Sequence, residues 1–282
     1  MLILELWYKL IGLLLPFSWA QYNFMKNALL AVLLITPLFA ILGTMVVSNK
    51  MVFFTDVLGH SAFTGIALGV LLGLREPSIS MIALAVILAI GITTLKKFTK
   101  SSMDTILGVI LAFSVALGIV ILSKQGGFAR YTGYLIGDIL AVTAQEIYLL
   151  IIIFIIVLVY WYVAANAMIL TSINQSLAHS RMIKTYLVEL SFSILVALVV
   201  MLSIRLVGIL IINSLIVLPP AASRNFTRSI SEYTIWSVII SIFSGITGLI
   251  VSYYWGTASG ATIVLFSTFC YGISAGYGNI FL

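Results

Sequence analysis

An all-α, polytopic membrane fold is what this sequence predicts, and three observations predict it. Hydrophobic residues fill 62% of the 282 positions and charged residues only 8%, against about 25% charged in an ordinary soluble domain. So few polar groups cannot clothe a water-exposed surface of this size. Apolar runs of about 20 residues recur from end to end, each long enough to cross a hydrocarbon core of roughly 30 Å as a helix. The short alternating segments of a transmembrane barrel are absent.

In chain order, residues 1–20, "MLILELWYKLIGLLLPFSWA", have the length of a signal peptide. Glu5 and Lys9 interrupt the apolar part, however, and no small-residue cleavage site follows. The segment reads as an interfacial lead-in helix with Trp7 and Trp19 at headgroup depth. Apolar segments follow at about 27–48, 56–74, 79–95, 104–123, 145–170, 185–204, 206–223, 233–254 and 258–280. The run 206–223 is broken by Leu218-Pro219-Pro220 and can pack partway into protein, so eight to nine spans are expected. Residues near 131–143 are too short and too polar to span; they predict a short helix, tolerated at membrane depth only when covered by protein. The whole chain, 1–282, reads as a single transmembrane domain whose longest polar loop is 171–184.

Basic residues set the orientation. Lys50, the cluster Lys96, Lys97 and Lys100, the pair Arg181 and Lys184, and the pair Arg224 and Arg228 share one side by parity, which the positive-inside rule makes cytoplasmic. Nine spans then put the N-terminus outside and the C-terminus inside. The net charge of +6 therefore belongs to orienting loops and does not point to nucleic acid. The lone Cys270 excludes an intrachain disulfide or a cysteine-rich metal cluster. No G-x-x-x-x-G-K-[ST] pattern occurs, so nucleotide hydrolysis would need another chain.

The chain holds only eight acids and two histidines, yet "MVFFTDVLGHSA" (51–62) sets Asp56 and His60 four residues apart in an apolar run. On a helix they lie over one another on one face. An oxygen and a nitrogen ligand so placed can meet one divalent ion, a donor set suited to zinc, manganese or ferrous iron. The same spacing also permits a plain hydrogen bond or a helix cap. Ionisable groups inside a membrane are costly and commonly line a pathway, which favours the ion. Two ligands do not complete a site of four to six, so other helices or a second copy must contribute. A two-fold axis would supply a second pair, provided that the small-residue face (Gly59, Ser61, Ala62, Gly65, Ala67, Gly69) turns toward it. Elsewhere, Asp138 suits a turn or helix start, and Glu189 and Arg205 can snorkel to an interface. Asn213 and Ser214 suit interhelical hydrogen bonds, and His179 suits a solvated loop.

Three stretches then converge on one family. "NKMVFFTDVLGHSAFTGIALGVLLG", "GYLIGDILAV" and "VGILIINSLIVLPPAASR" resemble, in order and separation, signature segments of the permease subunits of bacterial manganese, zinc and iron ABC importers. The lead-in "PFSWAQYNFMKNALLA" agrees, and the likeness covers about residues 16 to 275. Thr55, Gly59 and Pro220 depart from the pattern, but none removes a ligand type. The resemblance implies a multi-pass protein of the bacterial cell membrane that imports a divalent metal as substrate and holds no permanent cofactor. It implies a homodimer, a separate cytoplasmic ATPase subunit and an extracytoplasmic metal-binding protein as partners. Asp56 and His60 become pathway residues, and 171–184, with Gln175, Ala178, His179 and Arg181, becomes the segment that couples to the ATPase. The alternatives fit less well. A proton- or sodium-coupled secondary metal transporter should show inverted repeats and several membrane carboxylates, and an intramembrane metalloenzyme lacks H-E-x-x-H.

Overall fold

The architecture is that of a computed structural model, which describes residues 2–14, 17–74, 76–99, 101–124 and 137–281. All regular structure among these residues is helical: α1 (Leu2–Leu14), α2 (Asn23–Ser48), α3 (Val52–Leu71), α4 (Pro77–Phe98), α5 (Met103–Lys124), α6 (Ala144–Ile173), α7 (Gln175–Ser180), α8 (Thr185–Val207), α9 (Ile209–Arg224), α10 (Ile230–Trp255) and α11 (Ser259–Phe281). Among the described residues, eight of these helices are long and apolar enough to cross a membrane.

Local chemistry sets several boundaries. Pro77 opens α4 at a position where its missing N–H costs nothing. At the head of α6, Thr143 and Glu146 form a reciprocal box: Thr143 N–H donates to the Glu146 carboxylate, and Glu146 N–H donates to Thr143 Oγ1. The α2–α3 turn closes with Lys50 in the left-handed region at φ 57. There Met51 N–H donates to Val46 O and Lys50 N–H to Val47 O, the paired bonds of a Schellman closure.

The chain divides into two compact units. One comprises Met45–Ile136 and Leu158–Arg205. Here α3 is bedded against α4 and α5 through small residues. A methyl group on Gly65 would fall 2.5 Å from Met81 Cα, and one on Gly118 would fall 2.7 Å from Thr64 Oγ1. The approach is sealed by Ser80 Oγ donating to Gly65 O at 2.7 Å and by Thr64 Oγ1 donating to Ser114 O. Without a hydrophobic drive between helices in lipid, close approach and hydroxyl bonds of about 0.6 kcal/mol each carry the packing.

The other unit comprises Met1–Thr44, Gly137–Val157 and Leu206–Leu282. There α1 is tied to α2 by Trp7 Nε1 donating to Lys26 O at 2.9 Å. Ser241 Oγ of α10 donates to Thr36 O of α2, and Ser267 Oγ of α11 to Ser244 Oγ of α10. Ile212, Leu215 and Ile216 of α9 are buried in this unit.

Three sequence expectations are modified. The run 206–223 is not one helix: α8 continues to Val207, Gly208 breaks the chain at φ 83, and α9 follows with 16 residues. At 1.5 Å per residue that is about 24 Å, short of the hydrocarbon thickness; buried inside its unit, α9 has no need of lipid length. Trp19 is buried at 3% exposure rather than presented outward, because the 3₁₀ turn Ser18–Gln21 between α1 and α2 folds its ring inward. Of the short helix expected near 131–143, the described part is one 3₁₀ turn, Ile139–Ala141; residues 131–136 lie outside the described residues.

Candidate functional site

Asp56 and His60 occupy the first two turns of α3, one above the other as the spacing requires. His60 Nε2 stands 3.7 Å from Asp56 Oδ1. That is too long for a hydrogen bond between the two and within reach of an ion pair when the imidazole is protonated. It is close to the roughly 3.4 Å that separates two ligands of one tetrahedral ion with bonds of about 2.1 Å.

Their exposure contrasts with the buried side of the helix. The side chains of His60 and Asp56 are 43% and 40% exposed, while Phe54, Val57, Leu58, Ser61, Ala62 and Thr64 are buried. Phe53 and Phe63 share the open face, Phe53 exposed and Phe63 half-buried. Positions 53, 56, 60 and 63 recur at helical spacing and form one stripe. The small residues do not lie on it. Gly65 and Gly69 face Met81 and Ser80 of α4, so an axis at the pair would have to face the stripe that carries Asp56 and His60, and not the small-residue face. The two glycines seat the chain's own helices and leave the Asp–His stripe on a different side of α3. No group of three or more His, Cys, Asp or Glu side chains gathers among the described residues.

The second candidate region is α7. Asn174 caps it, its Oδ1 accepting from Ser176 N–H at 2.9 Å and Leu177 N–H at 3.3 Å. Its far end closes on Met182 at φ 60, with Met182 N–H donating to His179 O and Ile183 N–H to Ala178 O. The resulting helix presents Leu177, His179, Ser180 and the following Arg181 outward. Ala178 is fully buried, so among the expected coupling residues it serves as an anchor of the segment and offers no surface. The side chain of Gln175 lies outside the described residues. Leu177, 45% exposed, was missed by sequence reasoning, and an exposed leucine in a polar loop was the available signal.

The remaining polar candidates resolve simply. Asp138 Oδ1 accepts from Leu140 N–H at 3.0 Å, the turn role expected of it. Glu189 does more than snorkel, since it pairs with Lys96 of α4 at 2.9 Å. The Arg205 side chain, and the part of "GYLIGDILAV" before Gly137, lie outside the described residues.

The chain as a whole is similar to known proteins. The chain is 35% identical over 258 residues to the high-affinity zinc uptake system membrane protein ZnuB of Haemophilus influenzae, covering 90% of this chain and 97% of that protein. It is 24% identical over 254 residues to the manganese transport system membrane protein MntC of Listeria monocytogenes, covering 90% of each. The solved structure of PsaBC from Streptococcus pneumoniae in complex with Fab matches with a TM-score of 0.78 at 23% identity, over 90% of this chain and 91% of that one, which establishes the fold. The family model of the ABC 3 transport family matches residues 21–277. The chain is a multi-pass protein of the bacterial inner membrane that belongs to the ABC 3 transport family.

Proposed function

We propose that this chain is the permease subunit of an ATP-driven importer that carries a divalent transition metal into the cytoplasm, with Asp56 and His60 on the ion path. One observation carries the reading: a carboxylate and an imidazole 3.7 Å apart sit half-exposed on the open face of a largely buried apolar helix. Ionisable groups at membrane depth are costly and commonly line a pathway, and a cation passing the pair would offset that cost. The carboxylate and a neutral imidazole supply two ligands. A second copy across a two-fold axis would supply two more, the four that a tetrahedral ion needs.

Zinc is the first metal to test, since the zinc-system relative is more similar than the manganese one, 35% against 24%. The donor set alone would accept zinc, manganese or ferrous iron. Hydrolysis of ATP falls to a separate ATPase docked at α7, and an extracytoplasmic metal-binding protein delivers the ion. The test is metal accumulation in cells whose only importer of this type contains the chain or its Asp56→Ala or His60→Ala variant. Uptake lost in both variants at normal membrane levels is the expected result; normal uptake in either removes the pair from the path.

A further inference from the structure

A concave pocket of about 390 Å³ opens in the unit that holds α3, framed by the end of α4, the end of α7 and the start of α8. It lies on residues other than the Asp–His pair and shares only His179 with the α7 surface. Lys96, Lys97 and Lys184 line it together with His179, Thr185, Tyr186 and a single acid, Glu189.

The charge is unbalanced in a specific way. Glu189 is committed to Lys96 at 2.9 Å. Among the described residues, neither Lys97 nor Lys184 forms an ion pair with a carboxylate. Lys97 is instead held over the Tyr186 ring, its Nζ 5.1 Å from the centroid, a contact that fixes the ammonium without neutralising it. Two unneutralised ammonium groups thus share one recess with hydrogen-bonding side chains. Thr185 Oγ1 and His179 Nε2 stand 3.4 Å apart on its wall. Ammonium groups and hydroxyls around a concavity are the donor set for a phosphate group.

The surroundings point to the source of that phosphate. Below Lys97 on the same face of α4 lie Ile90 and Thr94, with Thr94 Oγ1 3.2 Å from the Tyr186 hydroxyl. Ile87 and Ile90 are 64% and 41% exposed, and Leu187 beside the pocket is 51% exposed. An apolar, outward-facing track therefore leads along α4 to a cationic recess at its end. That is the shape of a lipid, with acyl chains on the track and the headgroup in the recess. We propose that this pocket binds the phosphate group of an anionic phospholipid from the cytoplasmic leaflet and so ties the local bilayer to the α7–α8 corner.

The test uses the full chain purified in detergent and titrated with phosphatidylglycerol, phosphatidylcholine or inorganic phosphate, with bound species counted by native mass spectrometry. Phosphatidylglycerol should bind in preference to phosphatidylcholine. The double variant Lys97→Gln, Lys184→Gln should weaken that binding about 30-fold, roughly fivefold for each interfacial lysine, while Lys97→Arg, Lys184→Arg should retain it. Inorganic phosphate that binds with the same lysine dependence and displaces the lipid would keep the phosphate site but assign it to a soluble ligand. Should the glutamine variant fail to insert, a photoactivatable phosphatidylglycerol added to the wild-type chain replaces it, with labelled peptides expected within 93–98 and 179–189. Equal lipid binding by wild type and glutamine variant, or labelling spread evenly over the helices, would overturn the proposal and leave these lysines as orienting charges only.

Discussion

Gly137 is packed against the peptide that joins Val207 to Gly208, so closely that a methyl group on its Cα would fall on Gly208 N and Val207 C. Both glycines also lie at positive φ, 64 and 83. Two motifs distant in sequence therefore meet backbone to backbone at the joint between α8 and α9.

This contact gives the first prediction. Gly137→Ala should destabilise the fold by about 3 kcal/mol or more, combining left-handed strain of about 1–2 kcal/mol with an overlap that no side-chain rotation can relieve. Gly91→Ala, in the interior of α4 with open space around it, should be neutral or stabilising by about 0.5–1 kcal/mol. Thermal unfolding of both variants in detergent checks the pair; a Gly137→Ala protein as stable as wild type would contradict the described joint.

The second prediction concerns the stripe on α3. In a background carrying Cys270→Ser, Phe53→Cys and Phe63→Cys should each cross-link between copies, because they flank Asp56 and His60 on the open face. Ala62→Cys, buried at 1% exposure, should not. Cross-linking only at position 62, or at none of the three, would remove the shared two-fold path.

In α7, surface and anchor should separate. Leu177→Glu and His179→Glu, on exposed positions, should leave the chain folded while uncoupling ATP hydrolysis from transport in the assembled complex. Ala178→Glu should instead lower the yield of folded chain, since it forces a carboxylate into a site with no exposure. Coupled transport by Leu177→Glu and His179→Glu at wild-type rate would move the docking site elsewhere.

The closure of α7 on Met182 gives the fourth prediction. A non-glycine residue at φ 60 that is 91% exposed carries strain and little packing. Met182→Gly should raise stability by about 0.5–1 kcal/mol, the relief of left-handed strain less the added freedom of the unfolded chain. A lower melting temperature would mean that the methionine side chain makes a contact worth more than that strain.

What could be read from the sequence was local. The Asp56–His60 relationship lies within five residues, so helical geometry alone placed the two side chains together. Their open face could not be read, because α3 is apolar or small on every side and periodicity cannot say which side meets α4 and α5. Lys96 and Glu189 are 93 positions apart and meet only when α4 and α8 pack. The break at Gly208 was hidden inside an unbroken apolar run, where a single glycine gives no warning of a positive φ. Ala178 looked like surface because its neighbours are polar; its burial depends on a helix of only six residues.

The pairing of α10 with α11 bears on how the chain is made. Their connection turns through Gly256 in the left-handed region, with Thr257 N–H donating to Ser252 O. Thr257 and Thr262 join hydroxyls across the turn, Gly248 admits the Ile263 backbone, and Ser267 reaches Ser244. These contacts need no residue from elsewhere in the chain. Being self-contained, this hairpin can zip shut while its two segments are being released from the translocon, and it then joins the helices made before it as a finished piece. A truncated chain ending near residue 256 should consequently insert α10 without the α11 partner of Ser244 and Gly248 and be degraded faster than the full-length chain in a pulse-chase measurement.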